Sequence, residues 1–183
     1  MTYEAAVTKA WEGLRGLSTR QKCSVELLGD TYDVDLEAMT AVSNSCNVPT
    51  KDYLTILLLH YLIGTLKNSY SPSGQWISFK DIEGGEIYYP AFRESAIAPL
   101  LRKYGSAPKN VLSVLERFKG AQIDVGDVGI EIVAFPDISV RIILWRGDDE
   151  VGPEANILFD KNITRIFSME DVVVFSRFVT HSF

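Results

Sequence analysis

Asp148, Asp149 and Glu150 place three carboxylates in a row, just after Trp145-Arg146-Gly147 and just before Pro153-Glu154. Adjacent acids of this kind could hold a hard cation such as Mg²⁺ or Ca²⁺ through oxygen. Crowded into a cleft, they would shift one another's pKa and could serve as a general acid and a general base. The same residues also suit a solvated hairpin loop, where Gly and Asp recur for conformational reasons. Their spacing does not follow the EF-hand pattern.

His60 is the second candidate. It lies in an apolar run with Ile56, Leu57, Ile63 and Gly64 around it. An imidazole there can act as a metal or axial ligand, or as a proton carrier. A helical zinc pair would need another histidine four residues away, and none is there. The alternative is a partly buried histidine satisfied by a hydrogen bond.

The third candidate is aromatic. Tyr70, Trp76, Phe79, Tyr88, Tyr89 and Phe92 crowd one stretch of chain, with Arg93 beside them as an anion partner. They could wall a concave pocket. Aromatics in short strands also fill cores. The candidate ligand-binding set is therefore His60, Trp76, Tyr88, Phe92, Arg93 and Trp145. The candidate metal set is Asp148, Asp149 and Glu150. Gly84-Gly85 is too short for a phosphate-binding fingerprint, and no Gly-x-Ser-x-Gly marks a nucleophile.

These residues need elements to position them. Thr2 can cap a first helix, whose apolar stripe is Tyr3, Val7, Ala10, Trp11, Leu14 and Leu17. Cys23, Val25 and Leu27 then alternate with polar residues, as do Tyr32, Val34 and Leu36, which predicts a hairpin around Gly29-Asp30. Residues 39–43 extend its second strand or begin a third. Thr50 is the expected cap of a central helix near 52–67, apolar nearly all round. A short strand at 76–79 and a second at 86–89 follow. Pro90 opens a helix that restarts at Pro99 and ends at Gly105. Ser106 is expected to cap another helix, 107–119, closed by Gly120. The last third is β-rich, with strands at 128–135, 138–145 and 155–159. Ser168-Met169-Glu170-Asp171 opens a final helix with the spacing of a capping box. Helices and strands are grouped rather than alternating. The expected class is α+β, an antiparallel sheet packed against several helices, in a single domain over residues 1–183.

Composition narrows the partners. The net charge of -6 argues against a nucleic-acid footprint, which needs clustered cations. No apolar stretch is long enough to span a membrane. Met1-Thr2-Tyr3-Glu4 opens without the basic and apolar regions of a secretory leader. Cys23 and Cys46, the two cysteines, fit free thiols in a reducing cytoplasm.

One set of motifs points to a family. His60-Tyr61-Leu62, Gly74-x-Trp76-Ile77-Ser78-Phe79, Gly84-Gly85 with Tyr88-Tyr89, and Trp145-x-Gly147-Asp148-Asp149-Glu150 occur in that order. Leu158-Phe159-Asp160 and Glu170-Asp171 follow. Together they resemble the domain of unknown function 3786 family of anaerobic bacteria and archaea. The resemblance spans nearly the whole chain and implies one domain; it assigns no activity. Two functional expectations follow from the residues. The first is a non-catalytic binding module for a small cofactor or a protein partner. The alternative is an enzyme using Asp148, Asp149 and Glu150 as a metal site or acid–base pair.

Overall fold

The computed structural model describes residues 3–183, Tyr3 by its backbone only. The expected cap at Thr2 lies outside them. The first helix, α1, runs Tyr3–Arg15. Trp11 and Leu14 from its apolar stripe are fully buried.

The predicted hairpin is β1 (Lys22–Leu27) and β2 (Asp30–Asp35). It continues through β3 (Thr40–Ser43) and β4 (Val48–Pro49) into a four-stranded antiparallel meander. Val25, Leu27, Tyr32 and Val34 face inward, as the period-two pattern requires.

The central helix α2 spans Asp52–Leu66 and buries Leu57, Leu58 and Leu59 completely. Thr50 does not cap it. The N-cap is Lys51, without a side-chain bond, while Thr50 Oγ1 donates to the Ala41 carbonyl and lies 2.6 Å from Thr55 Oγ1. Thr50 thus ties α2 to the first sheet.

A five-stranded antiparallel sheet carries the last third, in the order β5-β9-β8-β7-β6. Its strands are β5 (Trp76–Ser78), β6 (Gly120–Ile123), β7 (Val128–Phe135), β8 (Ile138–Trp145) and β9 (Glu154–Asp160). The early strand β5 pairs with the late strand β9, Trp76 opposite Asp160. One hydrophobic cluster joins both sheets and the helices around Leu57, Phe135 and Phe175. The protein is α+β with a strand-rich C-terminal part.

Three expectations for the middle of the chain need correction. Residues 86–89 are helical, within α3 (Gly85–Phe92), where Tyr88 and Tyr89 suggest a strand. Gly84 turns into the helix at φ +80°, and a Cβ on Gly85 would sit 2.0 Å from the Phe79 carbonyl oxygen. Only glycine lets the chain double back so closely. Pro90 sits inside α3 rather than opening a helix. A five-residue π turn, Arg93–Ile97, follows it and leads into α4 (Ala98–Tyr104). Residues 108–116 form a 3₁₀ helix with Pro108 in its first turn, and Ser106 does not cap it. Gly120 opens strand β6 instead of closing a helix.

The final helix, α5 (Met169–His181), has the predicted capping box: Ser168 Oγ accepts from the Asp171 amide, and Asp171 Oδ2 accepts from the Ser168 amide. Just ahead of it, Ile166 packs onto Gly64 of α2. A Cβ at position 64 would meet Ile166 Cγ1 at 2.3 Å. Overpacking of this kind costs ~1–3 kcal/mol, against ~0.5–1 kcal/mol gained by removing a helical glycine. Gly64→Ala should therefore lower stability by about 1–2 kcal/mol. A urea midpoint that stays put or rises would refute this packing. Among the described residues, no helix is long and apolar enough to cross a membrane.

Candidate functional site

On α2 and its C-cap, Tyr53, Ile56, His60, Ile63 and Lys67 recur at steps of three and four and share one face. All five line a cleft of about 780 Å³. The stripe makes the cleft ~21 Å long, at ~1.5 Å rise per residue. Ala6, Lys9, Ala10 and Gly13 of α1 form a second wall. Ala6, Ala10 and Gly13 are small and allow close approach: a Cβ on Gly13 would already lie 3.3 Å from Ile63 Cδ1. The start of α5 supplies the third wall, through Ser168, Glu170, Asp171 and Val174.

The polar centre of the cleft is a pair joined across the fold. His60 Nδ1 lies 2.8 Å from Asp171 Oδ2. The Asp171 side chain is 9% exposed and that of His60 34%. The same Oδ2 accepts the Ser168 amide at 2.9 Å, so it acts as an acceptor and His60 Nδ1 is assigned as donor. In the neutral ring Nε2 then carries the free lone pair. Asp171 fixes the tautomer and ring orientation, as a carboxylate does behind a working imidazole. The capping box holds Asp171 in turn, so the helix start serves as the rigid mount of the pair.

Two cations also line the cleft. Lys9 and Lys67 belong to none of the ion pairs found among the described residues. Of the two acids that line it, Asp171 pairs with His60 and Glu170 accepts the Tyr88 hydroxyl at 3.0 Å. That hydrogen bond, with the Glu170 charge behind it, holds the Tyr88 phenol above its ordinary pKa.

The other candidates disperse. Phe92 is fully buried, stacked on Phe79 with centroids 4.1 Å apart. Trp76 covers the Arg141 guanidinium at 4.0 Å, and Arg141 bonds Glu131 directly across β7 and β8. Arg93 is exposed in the π turn. Trp145 closes β8 opposite Glu154. Trp76, Tyr88 and Phe92 therefore belong to an outer sheet face, a helix surface and the core, and do not wall one pocket. Of the sequence candidates, His60 lines the cleft and Tyr88 reaches its edge through Glu170.

The acidic turn is built as a loop. Asp148 Oδ1 accepts the Glu150 and Val151 amides at 2.9 and 2.7 Å. The Val151 amide first, then that of Glu150, holds the Asp148 carboxyl below its ordinary value. Its charge is thus spent on turning the chain, while Asp149 and Glu150 are exposed. Among the described residues, no three His, Cys, Asp or Glu side chains converge to hold a metal ion. Cys23 and Cys46 are both free thiols.

Sequence reasoning placed Glu170 and Asp171 in a capping box and a family motif, named Ile63 as a neighbour of His60, and did not single out Lys9, Tyr53 or Lys67. The three-and-four spacing from Tyr53 to Lys67 was the available signal for a second face on α2. Nothing local links Asp171 to His60, 111 residues away.

No curated protein and no solved structure matches the chain. A family model described as Domain of unknown function (DUF3786) matches residues 11–182, nearly the whole length, and the chain belongs to that family.

Proposed function

We propose that this protein is a binding module for a small amphipathic anion, working as one domain in a reducing cytoplasm. The observation that supports this most is the cleft between α1, α2 and α5, with an oriented imidazole in an otherwise largely apolar wall. Its volume of about 780 Å³ is within the ~300–1,000 Å³ of small-molecule sites. Such sites combine apolar walls with a few placed polar groups, and His60, Lys9 and Lys67 have that character. The apolar residues would take the ligand's body. The lysines would take its negative charge. The two free thiols fit a reducing compartment.

Anilinonaphthalene sulfonate, an apolar body with one sulfonate, is a suitable probe. It should bind saturably, with fluorescence enhancement that weakens as salt screens the lysines. Ala6→Trp, at a half-buried position on the α1 wall, should fill the cleft and abolish the enhancement while the helical signal stays unchanged. Equal binding to the filled variant would show that the dye sits elsewhere and would remove the support for this reading.

A further inference from the structure

The free nitrogen of His60 narrows the ligand class, given that the cleft is the binding site. We infer that the cleft takes a metal-centred tetrapyrrole bearing carboxylate side chains, an iron porphyrin in its simplest form, with His60 Nε2 as axial ligand. Four observations carry this.

The first is the carboxylate behind the ring. Asp171 Oδ2 is 2.8 Å from His60 Nδ1 and nearly buried. A metal-bound histidine characteristically donates its other N–H to a carboxylate or carbonyl, which fixes the ring and strengthens the donor nitrogen. His60 has that arrangement before any metal arrives.

The second is the count of donors. No three His, Cys, Asp or Glu side chains converge among the described residues. A bare ion needs three or four protein donors. A metal that brings its own macrocycle needs only an axial one, as haem iron does from a proximal histidine. His60 alone is enough for the second case and not for the first.

The third is shape. Ala6, Ala10 and Gly13 give the α1 wall little relief, while Ile56, Ile63 and Val174 supply apolar surface around the imidazole. A flat aromatic body can lie along such a wall. The fourth is charge. Lys9 and Lys67 line the cleft outside any ion pair of the described residues, and carboxylates on the macrocycle edge would meet them. The opposing charges are Asp171, which is paired with His60, and Glu170, which accepts the Tyr88 hydroxyl.

The test is titration of the full chain with ferric haem, followed by absorbance. The expected result is one haem per chain, with a Soret band shifted to a histidine-ligated position. His60→Ala should weaken binding by about 100-fold or more, since even second-shell changes at metal sites cost ~10–100-fold. Imidazole added to His60→Ala should restore the spectrum. His60→Gln, which keeps a hydrogen bond to Asp171, covers the case in which the alanine variant does not fold. His181→Ala should bind like the parent. Metal-free protoporphyrin shares the body and the carboxylates, and should bind far more weakly. Haem affinity unchanged in both His60 variants, or protoporphyrin binding as tightly as haem, overturns axial ligation. If the naphthalene dye enters the cleft and haem does not, this inference falls and the binding reading stands. If neither enters, both fall.

Discussion

Phe92→Ala should lower the unfolding free energy by about 3–5 kcal/mol, the usual cost of deleting a buried phenylalanine. The expectation rests on where the ring is held. Phe92 is 0% exposed and stacks on Phe79 at 4.1 Å with planes 9° apart. Phe159 meets it edge-on at 6.3 Å, and Tyr89 tilts against it at 6.1 Å. These contacts join α3 to the five-stranded sheet through β9. Removing the ring leaves Phe79 and Phe159 facing a void that rigid neighbours cannot close. Aromatic pairing adds to the loss, at ~0.5–1.5 kcal/mol per pair. Denaturant unfolding followed by circular dichroism gives the number. The midpoint should fall with little change in slope. Tyr88→Phe on the same helix removes one exposed hydrogen bond and should stay within ~0.5 kcal/mol of the parent. A Phe92→Ala variant within 1 kcal/mol of the parent would mean the ring lines open space, as a ligand wall would.

This contrast shows why composition leaves the aromatic stretch open between a pocket and a core. Rings near loops are equally suited to a core and to a pocket, and residue type does not separate the two. Phe92 and Tyr88 are four residues apart and share one side of α3, yet one is sealed between Phe79 and Phe159 while the other touches Glu170. What decides is what each turn of the helix meets, the sheet at Phe92 and the start of α5 at Tyr88. Tyr88-Tyr89 favoured a strand, and the signals against it were the Gly84-Gly85 doubling-back and Pro90, which cannot donate to a sheet ladder. Strands β7 and β8 were legible because long β-branched runs between turn residues leave little choice. Strand β6 was not, since Gly120-Ala-Gln-Ile has neither length nor an apolar face. Its existence depends on β7 offering an edge.

The site was half legible for a related reason. His60 stood out as a polar group in an apolar helix, and the Ser168–Asp171 capping box was readable from spacing. That Asp171 serves both jobs depends on α5 crossing the start of the cleft, and tertiary packing alone sets that. The acidic turn was open to two readings from residue type alone. Three adjacent acids suit chemistry as well as a hairpin loop, and Asp148 uses its carboxylate on its own backbone.

Asp160→Ala should cost about 3 kcal/mol, summing hydrogen bonds to a charged group worth ~1.5–3 kcal/mol each and allowing for partial relaxation. Asp160 is 5% exposed at the end of β9. Its Oδ2 accepts the Ser73 and Gly74 amides, both at 2.8 Å, and its Oδ1 accepts the Asn162 amide at 2.9 Å. The Ser73 hydroxyl adds a further bond at 3.0 Å. One carboxylate therefore fastens residues 73–74 to the strand on which β5 is paired. Without it, three amides lose their acceptor and β5 loses its entry.

The pH dependence follows from the same geometry. Burial is the largest single influence on this carboxyl and pushes its pKa up. The Asn162, Ser73 and Gly74 bonds together outweigh it and hold the value below the ordinary one. A depressed folded pKa means that the unfolded chain binds the proton more readily. The resulting stability is present above the unfolded value, near ~3.9, and is lost as pH falls through the folded value. Asp160→Asn keeps one acceptor oxygen but turns an amide NH₂ toward backbone donors, so it should fall between parent and alanine at neutral pH. Its gap from the parent should narrow as pH drops below about 4, because the parent is losing its charge there and the variant has none to lose. Urea midpoints of the two proteins at neutral and at acid pH decide the matter. A gap that stays constant or widens in acid would show that the Asp160 charge does not hold this junction.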